Sequence, residues 1–211
     1  MLPVDHLLLF ALAALVMVLS PGPNMIYLIS RAVCQGRRAG VISLSGVVAG
    51  FVLHMLAAAA GLAALFVAIP VAYELVKWLG AAYLFYLAWQ FVRPGAPSPF
   101  APRALPVEPA QKLFMMGFLT NALNPKIAVF YLSIFPQFVS PEHGALFVQG
   151  MVLGLVQIVV SFTVNLVIVV SAAKIAAWFD RNPLWLSVQR YLMGLALGGL
   201  AIRLAAEQRN A

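Results

Sequence analysis

Acidic residues and cysteine are the scarce components of this chain. It has six Asp and Glu and one cysteine among 211 residues. A lone Cys34 excludes an internal disulfide and a cysteine metal cage. His6, His54 and His143 are scattered without metal-ligand spacing, so neither a metal nor a cofactor is expected. Asp5, Glu74, Glu108, Glu142, Asp180 and Glu207 all fall at the ends of apolar segments or between them, with none at mid-segment. That leaves no acid cluster to hold magnesium for a prenyl- or phosphotransferase, and no aspartate pair for intramembrane hydrolysis. A metal-ion exporter would need several membrane carboxylates, histidines or thiols. The chain is therefore not expected to be an enzyme.

What the chain has in abundance is apolar sequence. It is 64% hydrophobic and only 9% charged, against about 25% charged in an ordinary soluble domain, and its mean hydropathy is +0.98. This composition predicts an all-α integral membrane protein with no room for a separate soluble domain. The net charge of +7 comes from basic residues set singly in short loops rather than in a stripe. That pattern argues against a nucleic-acid partner and for orientation of the chain in the bilayer. The N-terminal segment lacks a basic leader region, contains Asp5 and stays apolar to Ile29. It is longer than a signal-peptide core and predicts a retained first transmembrane helix.

Two apolar segments are interrupted. The first carries Ser20-Pro21-Gly22-Pro23-Asn24, and the second, about 113–139, carries Asn124-Pro125-Lys126. A span needs roughly 20 residues of helix, so each flank of the second triplet is too short alone, and the triplet is expected near mid-membrane. Proline removes a backbone donor and breaks the helix. Broken backbone at that depth is tolerated only inside protein or beside a water-filled cavity. A lysine at the bilayer centre costs about 2.5–3.5 kcal/mol, which marks Lys126 as functional unless it snorkels from a shallower position. The first interruption is either the same device or a simple kink.

Between and after these lie four more expected helices, about 41–69, 71–92, 145–173 and 184–204. Gly46, Gly50 and His54 share a face at four-residue steps. His54 either carries a proton, its ordinary pKa being near 6.5, or stays neutral and bonds a neighbouring helix. Glu74 is a second proton candidate, or else half of an interfacial ion pair with Lys77. Gln157, Ser161 and Asn165 continue the stripe of Gly150 and Gly154 and predict a polar face turned into the bundle.

The whole is read as a single transmembrane domain: repeat 1 at about 1–92, a Pro-rich linker at about 93–110 and repeat 2 at about 111–211. Gly144, Gly150, Gly154 and Pro125 each follow Gly40, Gly46, Gly50 and Pro21 by 104 positions. With six spans, nine basic residues (Arg31, Arg37, Arg38, Arg93, Arg103, Lys112, Lys174, Arg181, Arg190) share one side against three (Lys77, Arg203, Arg209) on the other. The richer side is cytoplasmic and both termini are periplasmic. Three helices per half then require two inverted repeats, with Pro-broken helices 1 and 4. Paired broken helices in inverted halves point to a transporter's binding site. The glycine faces serve either the monomer or a homodimer.

The Ser20–Asn24 motif, Gly36-Arg37-Arg38-Ala39-Gly40, Gly61-Leu62-Ala63-Ala64-Leu65, the stretch Lys77-Trp78-Leu79-Gly80-Ala81-Ala82-Tyr83-Leu84, and Asn124-Pro125-Lys126 followed by Phe135-Pro136-Gln137-Phe138 together resemble the LysE/RhtB family of bacterial amino-acid exporters. The resemblance covers nearly the whole chain. It implies efflux of amino acids or related metabolites across the inner membrane, driven by the proton gradient. A passive channel or a membrane-embedded partner subunit is the alternative.

For an amino-acid substrate, the residues suggest a division of labour. Lys126, expected at the start of a half-helix, offers its charge and the helix dipole to a carboxylate. Carbonyls freed around Ser20, Pro21, Gly22 and Pro23, with the amides of Asn24 and Asn124, suit an ammonium. Asn121, Pro125, Gln157 and Asn165 complete the expected substrate-binding set, with His54 and Glu74 expected to couple protons. The absence of a mid-span carboxylate argues against a strongly basic substrate.

Overall fold

The computed structural model describes residues 2–20, 22–68 and 106–182, with scattered positions between 78 and 93 and between 184 and 205. Among these residues every regular element is helical: α1 (Val4–Leu19), α2 (Pro23–Gln35), α3 (Arg37–Ala68), α4 (Ala110–Ala122), the short α5 (Pro125–Val129) and α6 (Leu146–Arg181). Between α5 and α6 run a π-helical turn, Phe130–Ile134, and two 3-10 turns, Phe135–Phe138 and Pro141–His143.

Both expected interruptions are present. α1 and α2 meet at 57°, and α4 meets the segment that follows it at 48°. Two helical stretches, Arg37–Gly61 and Leu146–Lys174, are long and apolar enough to cross a bilayer alone, and up to four spans result if each bent pair counts as one. The expected helices at 71–92 and 184–204 lie largely outside the described residues, although Trp78, Ala81, Phe85, Leu184, Tyr191 and Ala201 among them are helical. Helix α3 starts at Arg37 and α6 runs on to Arg181, each longer than the apolar pattern suggested. A helix does not stop where hydrophobicity stops.

The outward surfaces are apolar: Leu8, Leu12, Leu53, Leu56, Val159 and Val167 are exposed, while Asn121, Gln157, Ser161 and Asn165 are buried. Apolar outside and polar inside is the arrangement of a membrane bundle. In lipid, helices associate by close packing rather than by the hydrophobic effect, and glycine supplies that packing here. A Cβ on Gly46 would overlap the carbonyl oxygen of Phe114, and one on Gly117 that of Ser43, so α3 and α4 touch backbone to backbone. Gly150 sits against Ala59 and Gly154 against Met55, joining α6 to the same helix α3. The pair Gly40 and Gly144 differ from each other. Gly40 lies inside α3 against Val169 and Ala32, whereas Gly144 is a turn at φ +107°, a conformation suited only to glycine.

The second broken segment is anchored by aromatic rings. Phe10 of α1 lies 5.7, 5.6 and 5.3 Å from the rings of Phe130, Phe135 and Phe138. Pro136 cannot donate to the carbonyl four residues earlier, so the helix changes register around it into π and 3-10 turns. Gln137 Nε2 covers the Ser133 carbonyl at 2.7 Å.

One basic residue departs from its expected place. Arg31, expected in a loop, lies within α2 and is 1% exposed. Its guanidinium donates to the Pro106 carbonyl at 2.7 Å and lies over the Tyr27 ring. Beside it, Gln35 clasps Glu108, donating to its carbonyl at 2.6 Å and accepting from its amide at 3.0 Å. The chain leaving the linker is thus tied to α2.

Candidate functional site

The two breaks face each other. At the first, α1 ends at Leu19 and the helical ladder resumes only with Ile26 N donating to Gly22 O at 3.0 Å. The Ser20 carbonyl is one of those that a helix end leaves over. At the second, Asn124 caps α5 by accepting from Lys126 N at 3.0 Å, with Pro125 at the first helical position, where no donor is missed. Asn124 Nδ2 also donates to Asn24 Oδ1 at 3.2 Å, side chain to side chain across the two breaks. Lys126 Nζ donates to the Ser20 carbonyl oxygen. Lys126 is 7% exposed, and Ser20 is fully buried with a hydroxyl that has no hydrogen-bond partner.

Around this junction lies a small cavity lined by Ser20, Gly22, Asn24, Asn124, Lys126 and Asn165, with Met17, Val18, Met25, Phe51 and Ile127 supplying an apolar wall. Its volume of about 20 Å³ is room for roughly one water molecule. Lys126 is the sole titratable side chain among the lining residues. Gly22 lies against it: a Cβ there would sit 3.4 Å from both Cδ and Nζ of Lys126.

Of the residues read from the sequence, Ser20, Gly22, Asn24, Asn124, Lys126 and Asn165 come together. Pro23 opens α2 at this junction and Pro125 opens α5, while Pro21 and Glu74 lie outside the described residues. Asn121 and Gln157 are buried but do not line the cavity. Asn121 lies under Gly50, where a Cβ would come within 2.7 Å of its side chain, and its amide group has no hydrogen-bond partner. Gln157 is engaged at both ends, accepting from Tyr131 OH at 2.8 Å and donating to Ser161 Oγ at 2.9 Å. Asn165 Nδ2 continues this line by donating to the Ser161 carbonyl at 2.8 Å.

His54 is half-buried and also off the cavity. Its Nε2 is 3.3 Å from the Asn121 carbonyl oxygen, and its ring stacks on Tyr131 at 5.6 Å. The histidine thus has both a neighbouring-helix partner and a place beside a polar chain. Tyr131 escaped the sequence reading. The signal was available, because a buried tyrosine hydroxyl requires a partner and Gln157 was already expected to face inward.

Two expectations change with these contacts. The half-helix after Asn124 has only five α-helical residues, too short for the dipole assigned to it, so any attraction for an anion rests on the Lys126 charge. The histidines are not all scattered in space, since the rings of His6 and His143 are 5.9 Å apart. Among the described residues no group of three or more His, Cys, Asp or Glu is placed to hold a metal.

Comparison with known proteins gives the family. A family model described as LysE type translocator matches residues 15–208. A homoserine/homoserine lactone efflux protein of Salmonella typhimurium is 33% identical over 169 residues, 80% of this chain and 81% of the relative. A leucine efflux protein of Salmonella choleraesuis is 30% identical over 199 residues, 94% of each chain. No solved structure matches. With a family match over most of its length, the chain belongs to the LysE type translocators.

Proposed function

We propose that this chain is a secondary transporter that exports a small neutral amino acid across the bacterial inner membrane by proton antiport. It would work as one transmembrane domain of two inverted three-helix repeats, with both termini in the periplasm. The observation that carries the reading is the junction of the two breaks. A buried lysine, the backbone carbonyl that it occupies, three carboxamides and an unpartnered serine hydroxyl surround one cavity with an apolar wall. An α-amino acid presents an ammonium, a carboxylate and an apolar side chain, and each finds a counterpart there. Ser20 O suits the ammonium, Asn24 and Asn124 suit the carboxylate, and Met17, Met25, Phe51 and Ile127 suit an aliphatic side chain. Among the described residues no carboxylate lines the cavity to balance a second substrate cation. The substrates in the names of the two relatives, homoserine and leucine, fit that class.

The decisive experiment reconstitutes the protein in vesicles and follows leucine and homoserine under an imposed pH gradient. The expected result is accumulation against the amino-acid gradient that collapses with an uncoupler. Downhill flow indifferent to the uncoupler would make the protein a passive channel, and no flow of any amino acid would leave the partner-subunit reading. Reporter fusions after Gly95 and after Ala211 test the topology. The first is expected to report cytoplasm and the second periplasm, and a cytoplasmic C-terminus would overturn the six-span inverted arrangement.

A further inference from the structure

We propose that Lys126 is the proton carrier of the transport cycle, because its ammonium and the substrate's ammonium compete for the same acceptor, the Ser20 carbonyl. The inference rests on the amino-acid antiport reading above and assigns its coupling step to one side chain. Three observations lead to it. Lys126 Nζ already occupies the Ser20 carbonyl, the acceptor that the first break leaves over. With Lys126 there, the cavity holds only about 20 Å³, too little for any amino acid. Among the described residues no carboxylate lines the cavity beside the lysine, so its charge rests on the Ser20 carbonyl. A charge so placed is readily given up when a competing cation arrives.

Among the described residues the neighbouring elements offer no other titratable group to the cavity. α1 contributes Met17 and Val18, and the break after it Ser20; α2 contributes Asn24 and Met25; α3 contributes Phe51; α5 contributes Ile127; α6 contributes Asn165. His54 on α3 and Tyr131 on the π turn pack against each other away from it. Arg31 on α2 is held by the Pro106 carbonyl.

The cycle balances in charge. With the cavity open to the cytoplasm, Lys126 releases its proton to water there and its neutral amine leaves Ser20 O. The substrate's ammonium takes that carbonyl, and its carboxylate takes the amides of Asn24 and Asn124. With the cavity open to the periplasm, substrate departs, Lys126 takes a proton from that side and closes onto Ser20 O again. The collapsed arrangement in this structure is the proton-loaded carrier, ready to return. One proton enters for each amino acid that leaves.

Three variants in reconstituted vesicles test this, with leucine as the probe. Lys126→Gln has no proton to trade, so leucine/leucine exchange should stay measurable above empty vesicles while stimulation by the pH gradient disappears. Lys126→Arg keeps its charge at all working pH and should block exchange and gradient-driven export alike, with its melting temperature unchanged. His54→Gln should retain gradient stimulation. Purified wild-type protein in weak buffer should release roughly one proton per leucine bound, and Lys126→Arg none, a measurement that holds even if Lys126→Gln fails to fold. Gradient stimulation surviving in Lys126→Gln would overturn the proposal. So would loss of exchange in a folded Lys126→Gln, which would make the lysine a carboxylate-binding group, or loss of stimulation in His54→Gln alone. These outcomes differ from failure of the exporter reading, in which the wild-type protein itself moves no amino acid.

Discussion

The two helix breaks have similar sequence signatures, proline beside asparagine in an apolar run, yet they contribute opposite halves of the site. The first supplies backbone. Gly22 opens α2 in an extended conformation with no side-chain cap, and the Ser20 carbonyl is left to accept. The second supplies side chains. Asn124 caps α5 and donates across to Asn24, and Lys126 donates to Ser20. The flanks differ as well: α2 continues as 13 residues of regular helix, while α5 gives way after five residues to π and 3-10 turns around Pro136. A break therefore has no fixed chemical meaning. An acceptor-rich break and a donor-rich break make a site because they meet, and either alone would be a kink with surplus polar groups in a membrane.

The donor half depends on α3 for its position, and that dependence is the easiest to break. Gly46→Ala would put a methyl group into the Phe114 carbonyl and within 2.8 Å of Phe118 N, backbone that cannot turn aside. The expected loss is at the upper end of overpacking, about 3 kcal/mol or more, with little folded protein in the membrane. Gly61→Ala meets nothing within 4 Å among the described residues and should be neutral or stabilising by up to about 1 kcal/mol through helix propensity. Thermal unfolding of the two purified variants checks the contrast, and equal melting points would refute the close approach of α3 and α4.

Next in size is the asymmetry between the two asparagines that bridge the breaks. Asn124→Ala loses the cap on α5, worth about 1 kcal/mol, and strands the buried Asn24 side chain, at about 1–3 kcal/mol. Asn24→Ala loses the bridge but keeps the cap on Lys126 N. Asn124→Ala is therefore expected to be the less stable by about 1 kcal/mol and to export more slowly. If Asn24→Ala proved the more damaging in both melting and export, the second break would not be the better-fixed half.

The breaks, the inward polar stripe on α6 and the small residues along α3 were legible in the sequence because each violates what an apolar span otherwise contains. Proline, a lone lysine or a file of amides at four-residue steps stands out against leucine and valine. Pairing between distant segments was not legible. Nothing in the spacing of Arg31 says that its guanidinium will meet the Pro106 carbonyl 75 residues on, and nothing near His6 says that it will face His143. The π turn was hidden for a related reason. Pro136 announces a missing donor, but whether the helix bends, tightens or widens before it is decided by what packs there, here Phe10 and the Gln137 side chain. Arg31 also shows a hazard of counting charges for topology, since a buried, hydrogen-bonded arginine contributes to the count while doing structural work.

The smallest predicted effect sharpens the comparison at the point where the halves touch. Gly22 stands at φ −171°, extended backbone that any residue adopts, so alanine there introduces no conformational strain. Its Cβ would rest 3.4 Å from Lys126 Cδ and Nζ, ordinary contact rather than overlap. Folding should change little, by about 0.5 kcal/mol or less as for substitutions away from tight packing. Transport is different, because in the cycle proposed above the lysine leaves the Ser20 carbonyl at each turn and the methyl group would occupy the space beside it. A barrier raised on the order of 1 kcal/mol slows export about fivefold. Gly22→Ala should therefore melt like the wild type and export more slowly, with leucine/leucine exchange, which does not require the lysine to return to Ser20 O, little changed. Export at the native rate would mean that Lys126 does not move past Gly22. The contact between the two halves would then be fixed structure rather than the moving part of the cycle.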